Sequence, residues 1–192
     1  MLRNTTHCYG LAAIVLHWLM AVMIAGLFIL GDFMTRLDYY HPWYYAAPDW
    51  HRSVGVMTAM LLLLRWWWRL TNPLPAIAGP RWERLAALLV HRLFYLLMTV
   101  VTLSGYLITT AKGQGIDVFG LFSVPATLHG AKSQADIAGE IHRLSAWALM
   151  GLALLHGLAA LKHHFIDRDA TLRRMLVPGC SHNPYFTEEE SP

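Results

Sequence analysis

The sequence predicts an all-α protein, a four-transmembrane-helix bundle with both termini cytoplasmic. Three observations lead there. The 192 residues are 56% hydrophobic and only 14% charged, an apolar share above that of an ordinary soluble domain. The mean hydropathy of +0.38 is concentrated in apolar runs, separated by polar connections that carry Pro and Gly. Several of the eleven histidines fall inside those runs, where an ionisable side chain is costly and marks function. A chain of this length holds one domain of roughly three to five spans. Residues 1–178 read as that single transmembrane domain; residues 179–192, which include Glu188-Glu-Glu190, read as a disordered tail.

The first apolar run, Leu11 to Leu30, has about the length that crosses a bilayer. It is too long for a signal-peptide core and no small-x-small site closes it, so it reads as a retained helix. His17 sits a turn or two inside, in Val15-Leu-His-Trp-Leu-Met20. The connection that follows is rich in aromatics (Tyr39, Tyr40, Trp43, Tyr44, Tyr45), which suits a membrane–water interface. A second helix starts near Trp50-His51, runs apolar to Leu64 and closes on Arg65-Trp-Trp-Trp-Arg69, an aromatic and cationic anchor. Gly55, one turn after His51 on the same face, removes a side chain where a flat ligand could lie.

Pro73, Pro75 and Pro80 then make a connection incompatible with helix. The third helix runs from Arg84 to Ile108, with His91 near its start and Gly105 near its end. Thr109 to Ala138, punctuated by Gly113, Gly115, Gly120 and Pro125, is too polar for a fifth span and reads as a loop with room for a short interfacial helix. The fourth helix, Glu140 to Phe165, carries His142 and His156 fourteen residues apart. That spacing puts both imidazoles on one face, about 21 Å apart along the axis. Ser145, Ala146, Leu149 and Ala153 between them are small or aliphatic, and His163 continues the stripe.

Charge fixes the orientation. With four spans, ten of the fifteen Lys and Arg residues fall on the side of the termini, which makes that side cytoplasmic by the positive-inside rule. Depth then sorts the histidines into two pairs. His17 and His156 lie near the inner surface; His51 and His142 lie near the outer one. His91 is also at inner depth and competes with His17 for His156. Taken singly, any of these is as readily an interfacial or hydrogen-bonded core residue. Four falling into two depth-matched pairs point to a shared purpose.

Each pair can supply the two axial nitrogens of a b-type heme iron, giving heme b, two per chain. Neither Cys8 nor Cys180 belongs to a C-x-x-C-H motif, so the attachment is non-covalent, and both cysteines read as ordinary free thiols. Heme propionates need cations near the headgroups: Arg52 and Arg143 suit the outer heme, and Arg65, Arg69 and Arg92 the inner one. Two hemes stacked through a bilayer connect its faces for electrons. At the inner end, Lys162-His163-His164-Phe165 suits a quinone, with His163 as the residue that delivers a proton; Trp66, Trp67 and Trp68 either wall that site or form an aromatic belt.

Two other classes stand against this reading: a histidine-based metal-ion transporter and a non-redox membrane assembly subunit. Transporters generally carry carboxylates in mid-membrane, whereas Asp32, Glu83 and Glu140 all lie near helix ends. Red membranes with a reduced α-band separate a heme carrier from both. The net charge of +3 without a basic, aromatic-interleaved patch excludes nucleic acid as a partner.

The motifs Val15-Leu-His-Trp-Leu-Met20, His51-Arg-Ser-Val-Gly55, Arg65 to Arg69 followed by Asn72-Pro, His91 with Tyr95-Leu-Leu, Ser104-Gly-Tyr, His142 with His156, and Lys162-His-His-Phe-Ile-Asp-Arg-Asp-Ala-Thr-Leu-Arg-Arg-Met175 resemble the bacterial cytochrome b561 family over nearly the whole chain, about Tyr9 to Met175. The resemblance implies a four-helix inner-membrane protein holding two b hemes, one on His17 and His156 and one on His51 and His142. It implies His163 on the quinone side, and includes a branch that passes electrons from periplasmic superoxide to ubiquinone and others that serve hydrogenases and formate dehydrogenases. The outer side of this chain departs from strong attraction of an anion: five cations face the acids Asp32, Asp38, Asp49, Asp117, Asp136 and Glu140. The loop from Gly113 to Ala138 is long enough to meet a periplasmic donor protein instead.

Overall fold

The computed structural model describes residues 1–76 and 79–178. Four long helices dominate it: α1 (Leu11–Met34), α2 (Ala46–Thr71), α3 (Arg81–Thr110) and α4 (Gln134–Phe165). Each is longer than its apolar run alone suggests. α2 starts at Ala46 because Pro48 falls in the first turn, where the missing N–H costs nothing. α3 starts directly after Pro80, whose φ of −64° leads into helical backbone. α4 begins six residues before Glu140, after Ser133 turns the chain with φ 58°.

The helices pack in a ring, α1 against α2 and α4, and α3 against α2 and α4. Their polarity is inverted relative to a soluble protein. Ser53, Thr58, Ser104 and Ser145 are buried, while Val22, Ile29, Leu103 and Leu154 are each more than half exposed. Small hydroxyl side chains let helices approach closely inside a membrane and bond to their own carbonyls, as Ser104 Oγ does to Val100 O at 2.6 Å. Three of the helices, α1, α3 and α4, are long and apolar enough to cross a membrane. Midway along the ring Met20, Leu62, Met98 and Leu149 form an apolar layer, one side chain from each helix.

The purely helical expectation needs one amendment. Within the loop before α4 the chain forms a hairpin of β1 (Ile116–Val118) and β2 (Phe122–Val124), antiparallel with Val118 opposite Phe122. No interfacial helix forms there. Phe119 and Gly120 both take positive φ, 52° and 69°, the turn geometry that matches strand twist. Ile116 and Val118 are buried against the N-terminal end of α2, where Ser53 Oγ donates to Asp117 O and accepts from Phe119 N–H, both at 3.3 Å.

At the opposite end, the first ten residues, the α2–α3 connection and the segment after α4 are stitched together. Thr6 O accepts from Ala76 N–H at 3.0 Å, Asn4 Nδ2 donates to Pro73 O at 3.1 Å, and Arg174 Nη1 donates to Ala76 O at 2.9 Å. Trp18 Nε1 donates to Met175 O at 2.7 Å. Cys8, read from the sequence as a free thiol, is instead buried and disulfide-bonded; spacing along a chain carries no information on pairing. The other cysteine, Cys180, and the tail expected to be disordered, 179–192, lie outside the described residues.

Candidate functional site

The ring brings histidines from different helices together at two levels. Near the end that carries the hairpin, expected to be the outer one, His51 of α2 and His142 of α4 have ring centroids 6.1 Å apart, with planes inclined by 74°. Near the end where the N-terminal segment meets the segment after α4, expected to be the inner one, His17 of α1 and His156 of α4 are 6.3 Å apart, inclined by 66°. A metal–imidazole bond is about 2 Å long, and the ring centre lies roughly 1 Å beyond the nitrogen, so two axial imidazoles on one metal have centroids roughly 6 Å apart. Both spacings suit that arrangement. His91 of α3 also reaches His156, at 5.6 Å, as does Phe94 at 5.4 Å. The inner level therefore holds three imidazoles, and the outer level two.

The tautomers bear on the same question. His142 Nδ1 donates to Val101 O at 2.9 Å, with Ser104 Oγ at 3.3 Å, which leaves the Nε2 lone pair for a metal. His51 Nδ1 is buried without a hydrogen bond of ordinary geometry, beside the Leu27 carbonyl. Glycines make room for both rings. A Cβ built at Gly31 would lie 3.1 Å from His51 Cε1, and one at Gly105 would lie 3.2 Å from His142 Cε1. At Gly55, expected to leave space for a flat ligand, an added Cβ meets nothing within 4 Å.

His17 is different. Arg65 Nη2 lies 3.0 Å from its Nδ1, and a guanidinium only donates, so this nitrogen accepts and the proton sits on Nε2. Ligation through Nε2 requires Arg65 to release Nδ1, as it would when an anionic propionate draws the guanidinium away. Arg65 Nε also points at Tyr95 Oη (3.4 Å), and Arg69 lies over the Tyr95 ring at 5.4 Å, so two of the expected inner cations cluster here. Tyr9 sits beside them, and burial pushes its phenol up against the lowering pull of Arg69, Arg174 and Arg65. The expected outer cations are engaged close to home. Arg52 pairs with Asp49, and Arg143 pairs with Glu140 at 2.6 Å, all four side chains largely exposed.

Beyond His156 the stripe ends at His163. Its Nδ1 lies 2.8 Å from Asp169 Oδ2 and 3.0 Å from Asp167 Oδ2. Lys162 is not available as a lone cation, being bonded to Glu83 (3.1 Å) and Asp167 (2.8 Å). Partial burial opposes ionisation of Asp169, but hydrogen bonds from Thr171 and the charge of His163 outweigh it and hold this carboxyl below the ordinary range. Sequence reasoning passed over both aspartates, and over Gly31 and the Val101 carbonyl. The Asp-Arg-Asp triplet just past the histidine stripe was the visible signal for the first; backbone carbonyls leave none.

A family model described as prokaryotic cytochrome b561 matches residues 8–178. The chain belongs to the prokaryotic cytochrome b561 family. It is 47% identical to cytochrome b561 homolog 2 of Escherichia coli (strain K12) over 178 residues, 90% of this chain and 93% of the relative. It is 31% identical over 173 residues to a Yersinia pestis protein named "Probable superoxide oxidase CybB", 88% of this chain and 95% of that one. Cytochrome b562 of Cereibacter sphaeroides is likewise 31% identical over 180 residues, 88% of this chain and 96% of the relative. This cytochrome is thus a prokaryotic membrane protein of electron transport that binds b-type heme. The half-buried imidazoles, their metal-compatible spacing and the glycines that admit them fit that group.

Proposed function

We propose that this cytochrome carries electrons across the bacterial inner membrane, from a periplasmic donor to the quinone pool, on two b hemes. His51 and His142 would hold the outer heme, and His17 and His156 the inner one. The observation that carries the reading is the near-equal spacing of the two pairs, 6.1 and 6.3 Å, on helices that hold them at opposite levels. Bis-imidazole heme supplies a one-electron centre at each level. The chain's residues do the rest: His142 is oriented by the Val101 carbonyl, and the Met20–Leu62–Met98–Leu149 layer excludes water between the levels. Arg65 and Arg69 hold the inner propionates, Arg52 and Arg143 the outer ones. His91 packs against His156 as its neighbour rather than as a ligand.

His163 serves the quinone at the inner end. For the donor, superoxide is one candidate, favoured by the relative named for that activity. The outer acids, including Asp49 and Glu140 paired with the two arginines, speak against strong attraction of an anion. The hairpin and its loop offer a surface for a protein donor in its place. A superoxide pulse that reduces the protein no faster than a heat-killed sample removes superoxide.

The decisive measurement is heme quantitation with a redox titration. We expect two hexacoordinate, low-spin b centres per chain. His156→Ala is expected to lose one of them and leave the other spectrally intact. A chain that binds a single heme, or a His156→Ala variant that keeps both, refutes the ligand assignment.

A further inference from the structure

His163, Asp167 and Asp169 form a cluster at the inner end of α4 that the paired histidines do not use, their ligating atoms all within 4.8 Å of one another. After α4 the chain turns through Arg168, whose φ of 54° is left-handed, and Asp169 N–H comes back to donate to His163 O at 3.0 Å. The turn lays the Asp169 carboxylate over the imidazole six residues earlier. One oxygen, Oδ2, accepts from His163 Nδ1 at 2.8 Å; the other, Oδ1, accepts from Thr171 N–H at 2.8 Å. Asp167 also reaches Nδ1, but through the oxygen it shares with Lys162 Nζ, which in turn bonds Glu83 of α3. An oxygen already holding an ammonium is the weaker acceptor. Ionised carboxylates only accept, so His163 Nδ1 carries a proton, and among the described residues Nε2 makes no hydrogen bond.

We propose that Asp169 is the positioning residue of the inner-end proton donor: by holding Nδ1–H of His163 it fixes the ring and tautomer so that Nε2 exchanges protons with a quinone oxygen. The inference rests on reading His163 as the quinone-side residue. Reduction of a quinone to a quinol takes two electrons, supplied by b-type heme, and two protons. In the step assigned to His163, the Nε2–H bond of the imidazolium breaks and an O–H bond forms at one quinone oxygen. The neutral imidazole keeps Nδ1–H on Asp169 and regains a proton at Nε2 from water. Water also supplies the second proton.

The test uses the full-length, heme-loaded protein reduced with stoichiometric dithionite and mixed with decylubiquinone, with quinol formation followed by absorbance. Asp169→Asn is expected to slow the reaction roughly tenfold at saturating quinone, with KM unchanged and a larger slowing in D2O, because proton delivery becomes limiting. Asp167→Asn is expected to lose less. An unchanged Asp169→Asn rate overturns the inference, as does a loss confined to KM or one matched in D2O and H2O. If the wild-type protein leaves the quinone unreduced, the quinone reading falls and takes this with it; if it reduces quinone and Asp169→Asn equals it, only the positioning role falls. A second measurement needs no variant at Asp169. Side-chain 15N NMR of the wild-type protein, with His163 assigned by its loss in His163→Gln, is expected to show a protonated Nδ1. A bare Nδ1 with Nε2–H refutes the proposal.

Discussion

An ideal Cβ at Gly105 would stand 3.3 Å from Nδ1 of His142, the atom that donates to Val101 O. The ring has little freedom to yield, since shifting it stretches a 2.9 Å hydrogen bond from a half-buried side chain between helices. Gly105→Ala therefore displaces His142 by a few tenths of an ångström, and Gly105→Leu displaces it outright, at a cost of about 1–3 kcal/mol of overpacking. On the two-heme reading proposed above, the expected outcome is loss of the heme held by His51 and His142 with the other retained, graded from Ala to Leu and read by heme quantitation. Equal loss of both hemes would mean that the glycine serves helix packing in general. Gly31 against His51 gives the same expectation from the other side of that pair. At this scale the sequence was legible where chemistry shows in residue type. Imidazoles announce themselves, so all four paired histidines could be singled out before any coordinates. What orients them, a backbone carbonyl on α3 and two glycines on neighbouring helices, depends on which helix faces which. Nothing in His142's own neighbourhood in the chain encodes Val101.

Element boundaries follow the same division. Hydropathy marks only the part of a helix that sits in lipid, so α2 and α4 both extend past their apolar runs into polar turns at their N-terminal ends. Near these ends exposed carboxylates and guanidiniums pair at i, i+3, as Asp49 does with Arg52 and Glu140 with Arg143. The hairpin escaped sequence reading for a physical reason as well. Three-residue strands offer too little alternation to register, and Phe119 is an unusual residue for φ 52°. Tertiary contact holds it: Val118 is fully buried, and Ser53 bonds both Asp117 and Phe119. Ser53→Ala leaves the Phe119 N–H without its acceptor, a local cost of about 1–3 kcal/mol. Hydrogen–deuterium exchange over 116–124 is then expected to speed up, while exchange in the middle of α2 stays as in the wild type. No change in the hairpin would show that Ile116 and Val118 hold it unaided.

For the molecule as a whole, the question is whether α2 crosses the bilayer as fully as the three helices whose apolar windows qualify by themselves. Its 26 residues make it about 39 Å long. The charges that lower its hydropathy (Asp49, Arg52, Arg65 and Arg69) all lie towards its two ends, where long side chains reach the headgroups. If α2 stopped short or turned back, the α2–α3 connection would lie with the hairpin. Instead Pro73 and Ala76 are bonded to the N-terminal segment and to Arg174. If α2 crosses as well, the even number of crossings returns both ends of the chain to one side, and the positive-inside rule predicts from the excess of Lys and Arg that this side is the cytoplasm. Reporter fusions test this directly. Alkaline phosphatase joined in the α1–α2 connection near Tyr40, or in the hairpin near Leu121, is expected to be active, and joined after Leu74 or Leu176 to be silent, with a fluorescent protein giving the reverse. An active phosphatase after Leu176 would put the C-terminus outside, through either an odd number of crossings or an inverted orientation. His156 would then lie at the surface opposite the one assigned to it, and His163 could not serve a quinone whose proton is drawn from the cytoplasm.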